Sequence, residues 1–171
     1  MTYNPRNSLH ELITAFAMIV LGLIIALYDG AWLLIIPIIV ATLSAGGWAG
    51  MLVAICAHAL HILRFDVSVS NISMMVMDVA IVVLLQSIEY RMRQRFIYTS
   101  LYPAAIGCIV SRSVLIVIGM WVQNLFVPQA SVTRSPIDML TMMISGPALI
   151  MTAVAIIGVL VVNSLLRIFL P

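Results

Sequence analysis

An all-α, polytopic membrane protein of about six transmembrane helices is the fold class that this sequence predicts. Three features predict it. Hydrophobic residues make up 64% of the 171 positions, charged residues make up 8% where a soluble domain carries about a quarter, and mean hydropathy is +1.21. The apolar residues also fall into runs approaching the roughly twenty residues a bilayer demands. These runs cover residues 10–28, 31–45, 47–64, 70–89, 99–125 and 137–168. With no internal repeat, linker or leftover polar block, residues 1–171 read as a single transmembrane domain.

Each element has its own justification. The polar opening "MTYNPRNSLHE" leads into a full-length apolar run with no small-residue cleavage site, so the first helix is expected to be retained. "YDG" breaks the chain before the second run. The second and third are short and separated only by "SAGG", which predicts a tight helical hairpin or a partly re-entrant pair. "RFDVSVSN" ends the third, "EYRMRQRF" the fourth and "VPQASVTRSP" the fifth. The sixth has a serine N-cap at Ser135, proline at the first helical position and Asp138 three residues after the cap. Gly22, Ala26, Gly47 and Gly50 allow helices to approach closely.

Arginine placement predicts orientation. Arg91, Arg93 and Arg95 share one short loop, and positive loops favour the cytoplasmic side. Threading six helices from that loop puts both termini inside with Arg6 and Arg167, and leaves Arg64 and Arg134 outside. The expected location is a bacterial inner membrane. The acids are scattered and no basic patch suggests nucleic acid, and a net charge of +2 is too small to imply a partner. Cys56 and Cys108 lie in apolar runs and form neither a disulfide framework nor a metal spacing.

Three polar sites interrupt the apolar runs. Arg112 stands in "CIVSRSVLIVIG" with no other charge within ten residues on either side, Asp78 in "MMVMDVAIV", and His58 in "CAHALHILRF". At about 1.5 Å per helical residue they lie about 16, 12 and 8 Å from the outer ends of their helices. They can therefore meet. Gly146-Pro147 lies about 15 Å in from Pro136, and a proline there frees the carbonyl of Met143. Two readings stand side by side. In one, Arg112, Asp78, His58 and the Met143 carbonyl line an outward-facing cavity for a small polar or anionic molecule. In the other, Asp78 and Arg112 form a structural ion pair, since charges inside membrane helices usually pair with each other. His58 is expected to be hydrogen-bonded inside the bundle, and His61 and Arg64 to sit near the headgroups. The methionines, such as Met74, Met75 and Met77, read as filler. No phosphate loop, catalytic triad or carboxylate pair points to an enzyme, and no metal or cofactor is expected.

Two stretches carry a family resemblance. "DGAWLLIIPIIVATLSAGGWAGMLVAICAHALHILRF" resembles the second and third helices of the transmembrane region of LytS-type sensor kinases and related diguanylate cyclases. "MISGPALIMTAVAIIGVLVVNSLL" resembles that region's last helix. The fold this implies is shared with the substrate-binding S components of vitamin transporters and with MreD-like proteins. The resemblance implies an outward small-molecule pocket, with Arg64 matching the arginine that closes the third helix and Asp78 at a polar pocket position. The chain departs from the sensors where Asp29-Gly30-Ala31 lacks their arginine and "RFDVSVSN" lacks their Gly-Gly, and no kinase or cyclase domain follows. It departs from MreD where "HALHIL" replaces an acid. The expected function is capture of a small polar or anionic ligand, with Arg112 as the anion partner and Asp78 and His58 orienting it. The result would pass to a partner membrane protein, an energy-coupling module or a signalling chain, through the Arg91–Arg95 loop. The rival is a non-enzymatic scaffold of the MreD kind. A binder leaves Asp78 or Arg112 open to a cavity, whereas a scaffold closes them on each other.

Overall fold

The computed structural model describes residues 5–28, 31–65, 67–94, 101–126 and 146–169. Among them every regular element is helical. The elements are α1 (Pro5–Leu27), a 3-10 turn (Ala31–Leu34) leading directly into α2 (Ile35–Ala45), α3 (Gly47–Arg64), α4 (Val69–Gln94), α5 (Tyr102–Phe126) and α6 (Gly146–Phe169). Four helices contain stretches long and apolar enough to cross a membrane: Leu9–Leu27, Gly47–Arg64, Ser70–Met92 and Leu149–Leu166. The apolar helical stretches Ala31–Ala45 and Tyr102–Ile116 are shorter. Among the described residues, four of the helices are thus long and apolar enough to span a membrane. Ser135, Pro136 and Met143, on which the predicted start and kink of the last helix rested, lie outside the described residues.

α2 is the centre of the bundle. Its sequence "IIPIIVATLSA" is apolar all round, as a helix enclosed on every side must be. Nine of its eleven residues are buried, and it packs on α1, α3, α4 and α6. Pro37 lies in the first turn, where a missing amide hydrogen leaves no bond unmade. Thr42 satisfies its own hydroxyl by donating to the Ile38 carbonyl at 2.7 Å.

The turn from α2 into α3 is a single residue, Gly46, at φ 94° and ψ 171°. Only glycine adopts that conformation comfortably, and other residues lose about 1–3 kcal/mol there. The Gly46 carbonyl accepts from the amides of Ala49 and Gly50 at 3.1 and 3.3 Å, opening α3 at once. Gly46→Ala is therefore expected to lower stability by about 1–3 kcal/mol. A denaturing-detergent titration reads this directly, and an unchanged midpoint would contradict the strained turn.

α3 buries one stripe: Gly47, Gly50, Val53, Ala54, Ala57, His58 and His61 recur at three- and four-residue steps. Small residues on it bring α1 close, with a Cβ built on Gly22 lying 3.3 Å from Ala57 and Val53. α4 starts at a side-chain cap, the Asn71 amide donating to Ser68 Oγ at 3.2 Å. On α6, Ala155, Val159 and Asn163 are buried at four-residue intervals, and Gly158 lies against Ile36 of α2. The outer faces carry Leu12, Phe16, Val20 and Ile24 on α1 and Leu149, Ile150, Ile157 and Leu160 on α6, all exposed. Large apolar side chains outside and ionic ones inside suit a bilayer and would be untenable in water.

Candidate functional site

The site is assembled from three helices and the 3-10 turn. His58 comes from α3, Asp78 from the third turn of α4, and Arg112 from the middle of α5. Their side chains meet in the interior at 0%, 0% and 2% exposure. Arg112 grips the Asp78 carboxylate as a fork, Nε to Oδ1 at 2.5 Å and Nη2 to Oδ2 at 2.9 Å. His58 Nε2 lies 2.8 Å from the same Oδ2 and donates to it. The other edge of the guanidinium faces backbone. Nη1 donates to the Trp32 carbonyl at 3.3 Å and Nη2 to the Ala31 carbonyl at 3.4 Å.

Counting bonds shows how little is left over. A guanidinium has five N–H donors, and four of Arg112's are used by these contacts. Asp78 accepts three hydrogen bonds from two partners. One cation and one anion, each fully enclosed, offset each other, which is what makes their burial tolerable. The unfilled valence is on the imidazole. With Nε2 turned to Asp78, His58 Nδ1 is buried and has no partner among the described residues.

The depth argument is met for His58, Asp78 and Arg112, which converge. Arg64, a candidate only through the family resemblance, is exposed at the end of α3 with its guanidinium carbon 5.6 Å from the Phe65 ring centre. Arg64 takes no part in the cluster. Met143 lies outside the described residues. His61 is a correction. Expected near the headgroups, it is 3% exposed, because it continues the α3 stripe of Ala54, Ala57 and His58 into the bundle. Its ring lies 4.7 Å from that of Phe65 and its Nδ1 has no partner among the described residues.

Sequence reasoning missed the carbonyls of Ala31 and Trp32. The run 31–45 reads as one helix, whereas its first four residues form a 3-10 turn, whose geometry leaves carbonyls for a donor from another helix. It also missed Asn163, the only amide within the apolar stretch Leu149–Leu166, which was a usable signal. Among the described residues no three His, Cys, Asp or Glu side chains come together as a metal site needs.

Compared with protein-family profiles, characterised proteins and solved structures, the chain matches none. Function therefore rests on the geometry itself. The cluster can do two things chemically. It locks α3, α4, α5 and the 3-10 turn in one register, and it holds a polar, hydrogen-bonding core away from lipid.

Proposed function

We propose that this chain is a non-enzymatic membrane scaffold, a helical unit that organises partner proteins in the bilayer. The observation supporting this reading is the closed Arg112–Asp78 fork, with neither residue turned toward open space. Buried polar groups of this kind have their best-attested role in fixing register between helices. On this reading the scaffold sits in a bacterial inner membrane with both termini cytoplasmic, and the basic sequence Arg91–Arg95 is a contact region for partners.

A second reading, capture of a small anionic molecule for a partner transporter or signalling chain, has one specific observation in its favour. Among the described residues, the bonds from Arg112 to Trp32 and Ala31 are the longest it makes, at 3.3 and 3.4 Å, and His58 Nδ1 has no partner. A carboxylate or phosphate could replace those carbonyls.

One variant separates the readings. Asp78→Leu with Arg112→Met removes both charges and keeps apolar volume. The scaffold reading expects in-cell cross-linking of this variant to capture the same partners as the parent chain. The ligand reading expects small carboxylates and phosphates to raise the melting temperature of the purified parent chain and not of the variant. A ligand at a hundred times its dissociation constant adds about 2.7 kcal/mol, a shift easily seen. Partner loss in the variant together with such a shift in the parent chain would replace the scaffold by the receptor.

A further inference from the structure

An open groove of about 570 Å³ runs along the C-terminal half of α4, and the described residues lining it are Val83, Gln86, Ser87, Tyr90, Arg91 and Gln94. They recur at three- and four-residue steps, so they share one face of the helix. All six are exposed. Most of this face is polar, yet it begins inside Ser70–Met92, a stretch long and apolar enough to span a membrane. Ser87 suits such a place, since its hydroxyl donates to the Val83 carbonyl at 2.8 Å. Hydrocarbon is a poor neighbour for the exposed Gln86 amide.

Packing fixes the level of this face. A Cβ built on Gly47 would lie 2.6 Å from the Gln86 side chain, so Gln86 stands beside the first residue of α3. Trp48, the next residue, is exposed, and tryptophan gathers where acyl chains give way to headgroups. Gln86 therefore marks that boundary. Asp78, two turns earlier on α4, is in the interior, so the helix passes outward from Val83 to Gln94. By helical rise Val83 lies about 4.5 Å deeper than Gln86, with Tyr90 and Arg91 about 6 and 7.5 Å beyond it. The headgroup layer on each side of the hydrocarbon core is about 5–8 Å thick.

The order of chemistries along the groove is thus apolar at acyl depth, amide and hydroxyl at the boundary, and phenol and cation among the headgroups. A phospholipid has the same order from chain to phosphate. The Arg91 guanidinium complements a phosphate in charge and shape. Arg93 and Arg95 follow within four residues in the sequence, and basic clusters at this level attract anionic lipid. Glu89 is half-buried and rotated off this face. We propose that the groove binds one anionic phospholipid, its acyl chain beside Val83 and its phosphate at Tyr90 and Arg91. This goes beyond the scaffold reading and needs only that the chain lie in a bilayer.

Native mass spectrometry of the detergent-solubilised full chain tests this, with phosphatidylglycerol and phosphatidylcholine of the same acyl chains as probes. The first phosphatidylglycerol is expected to bind about fivefold or more tightly than phosphatidylcholine. Arg91→Gln should remove most of that preference, since one basic residue at an anionic surface contributes about that factor. Ser87→Trp fills the groove with every charge kept and should abolish the preference too. Both positions are exposed, so neither variant threatens the packed interior. Glycerol phosphate, added at constant ionic strength, should not displace the lipid. Equal binding of the two lipids by the parent chain overturns the site, as does a preference that survives Arg91→Gln. A preference that survives Ser87→Trp means diffuse attraction to the basic sequence instead of a groove. Displacement by glycerol phosphate means a site for free phosphate esters, which overturns the lipid. Partner capture by cross-linking is read separately, so none of these failures touches the scaffold reading.

Discussion

Arg112→Leu is expected to lower stability by about 3–5 kcal/mol, the loss typical of breaking a buried ion pair from one side. The loss comes from Asp78 more than from the missing bonds. Without Arg112 the carboxylate keeps one polar contact, His58 Nε2 at 2.8 Å, at a position with 0% exposure. Water cannot reach it, and lipid offers it nothing. Losing the fork also frees the Ala31 and Trp32 carbonyls, so the 3-10 turn loosens from α5. In detergent the unfolded helices find alternative polar partners, which places the expected value toward the lower part of the range.

The companion variant makes the cause visible. Asp78→Leu with Arg112→Met replaces the pair by apolar side chains, an exchange that is often neutral or better. It should recover most of the loss. The remaining deficit is His58 Nε2, deprived of its acceptor, at about 1–3 kcal/mol. Denaturing-detergent titrations of the three proteins give the comparison. If the single variant is as stable as the parent, the pair is not structural, and the scaffold reading loses its support.

What the sequence made legible follows from how each feature is encoded. The α2–α3 hairpin could be read because "SAGG" places glycine where the turn needs positive φ, and Gly46 supplies it. The meeting of His58, Asp78 and Arg112 could be read because helical rise converts sequence position into depth, and few partners exist for a cation at that depth. Rotation about the helix axis was harder. His61 and Arg64 are three residues apart, yet one is buried and the other exposed, since the end of the helix passes beyond the packed stripe. Backbone acceptors were not legible at all. Nothing in "AWLL" distinguishes a 3-10 turn from the helix it opens, so the carbonyls that hold Arg112 could not be foreseen. The meeting of Ser44, Asn163 and Tyr102 depends on the ends of three helices arriving at one level, and that is a property of the assembled bundle rather than of any segment.

Gly50→Leu is expected to be the most damaging single change outside the ionic cluster, because it pushes α3 away from the helix everything else surrounds. A Cβ on Gly50 would lie 3.1 Å from the Ile38 backbone oxygen and 3.0 Å from Thr42 Cβ, and would collide with Thr42 Oγ1. That hydroxyl cannot swing aside freely, since it is bonded to the Ile38 carbonyl at 2.7 Å. Gly50→Ala should already lose about 1–3 kcal/mol by overpacking, and leucine more. Two controls fix the explanation. Gly107→Ala, with nothing within 4 Å, should be neutral or slightly stabilising through its helix propensity. Gly158→Ala should fall between, because its nearest neighbour is the movable Ile36 Cδ1 at 2.6 Å. Adding Thr42→Ala to Gly50→Ala should return part of the loss, since residues in contact couple by about 0.5–3 kcal/mol. Unfolding titrations across this series should rank Gly50 below Gly158 and Gly158 below Gly107 in tolerance. Should alanine be accepted equally at all three, α2 and α3 are not in close backbone contact, and the central position of α2 would have to be abandoned.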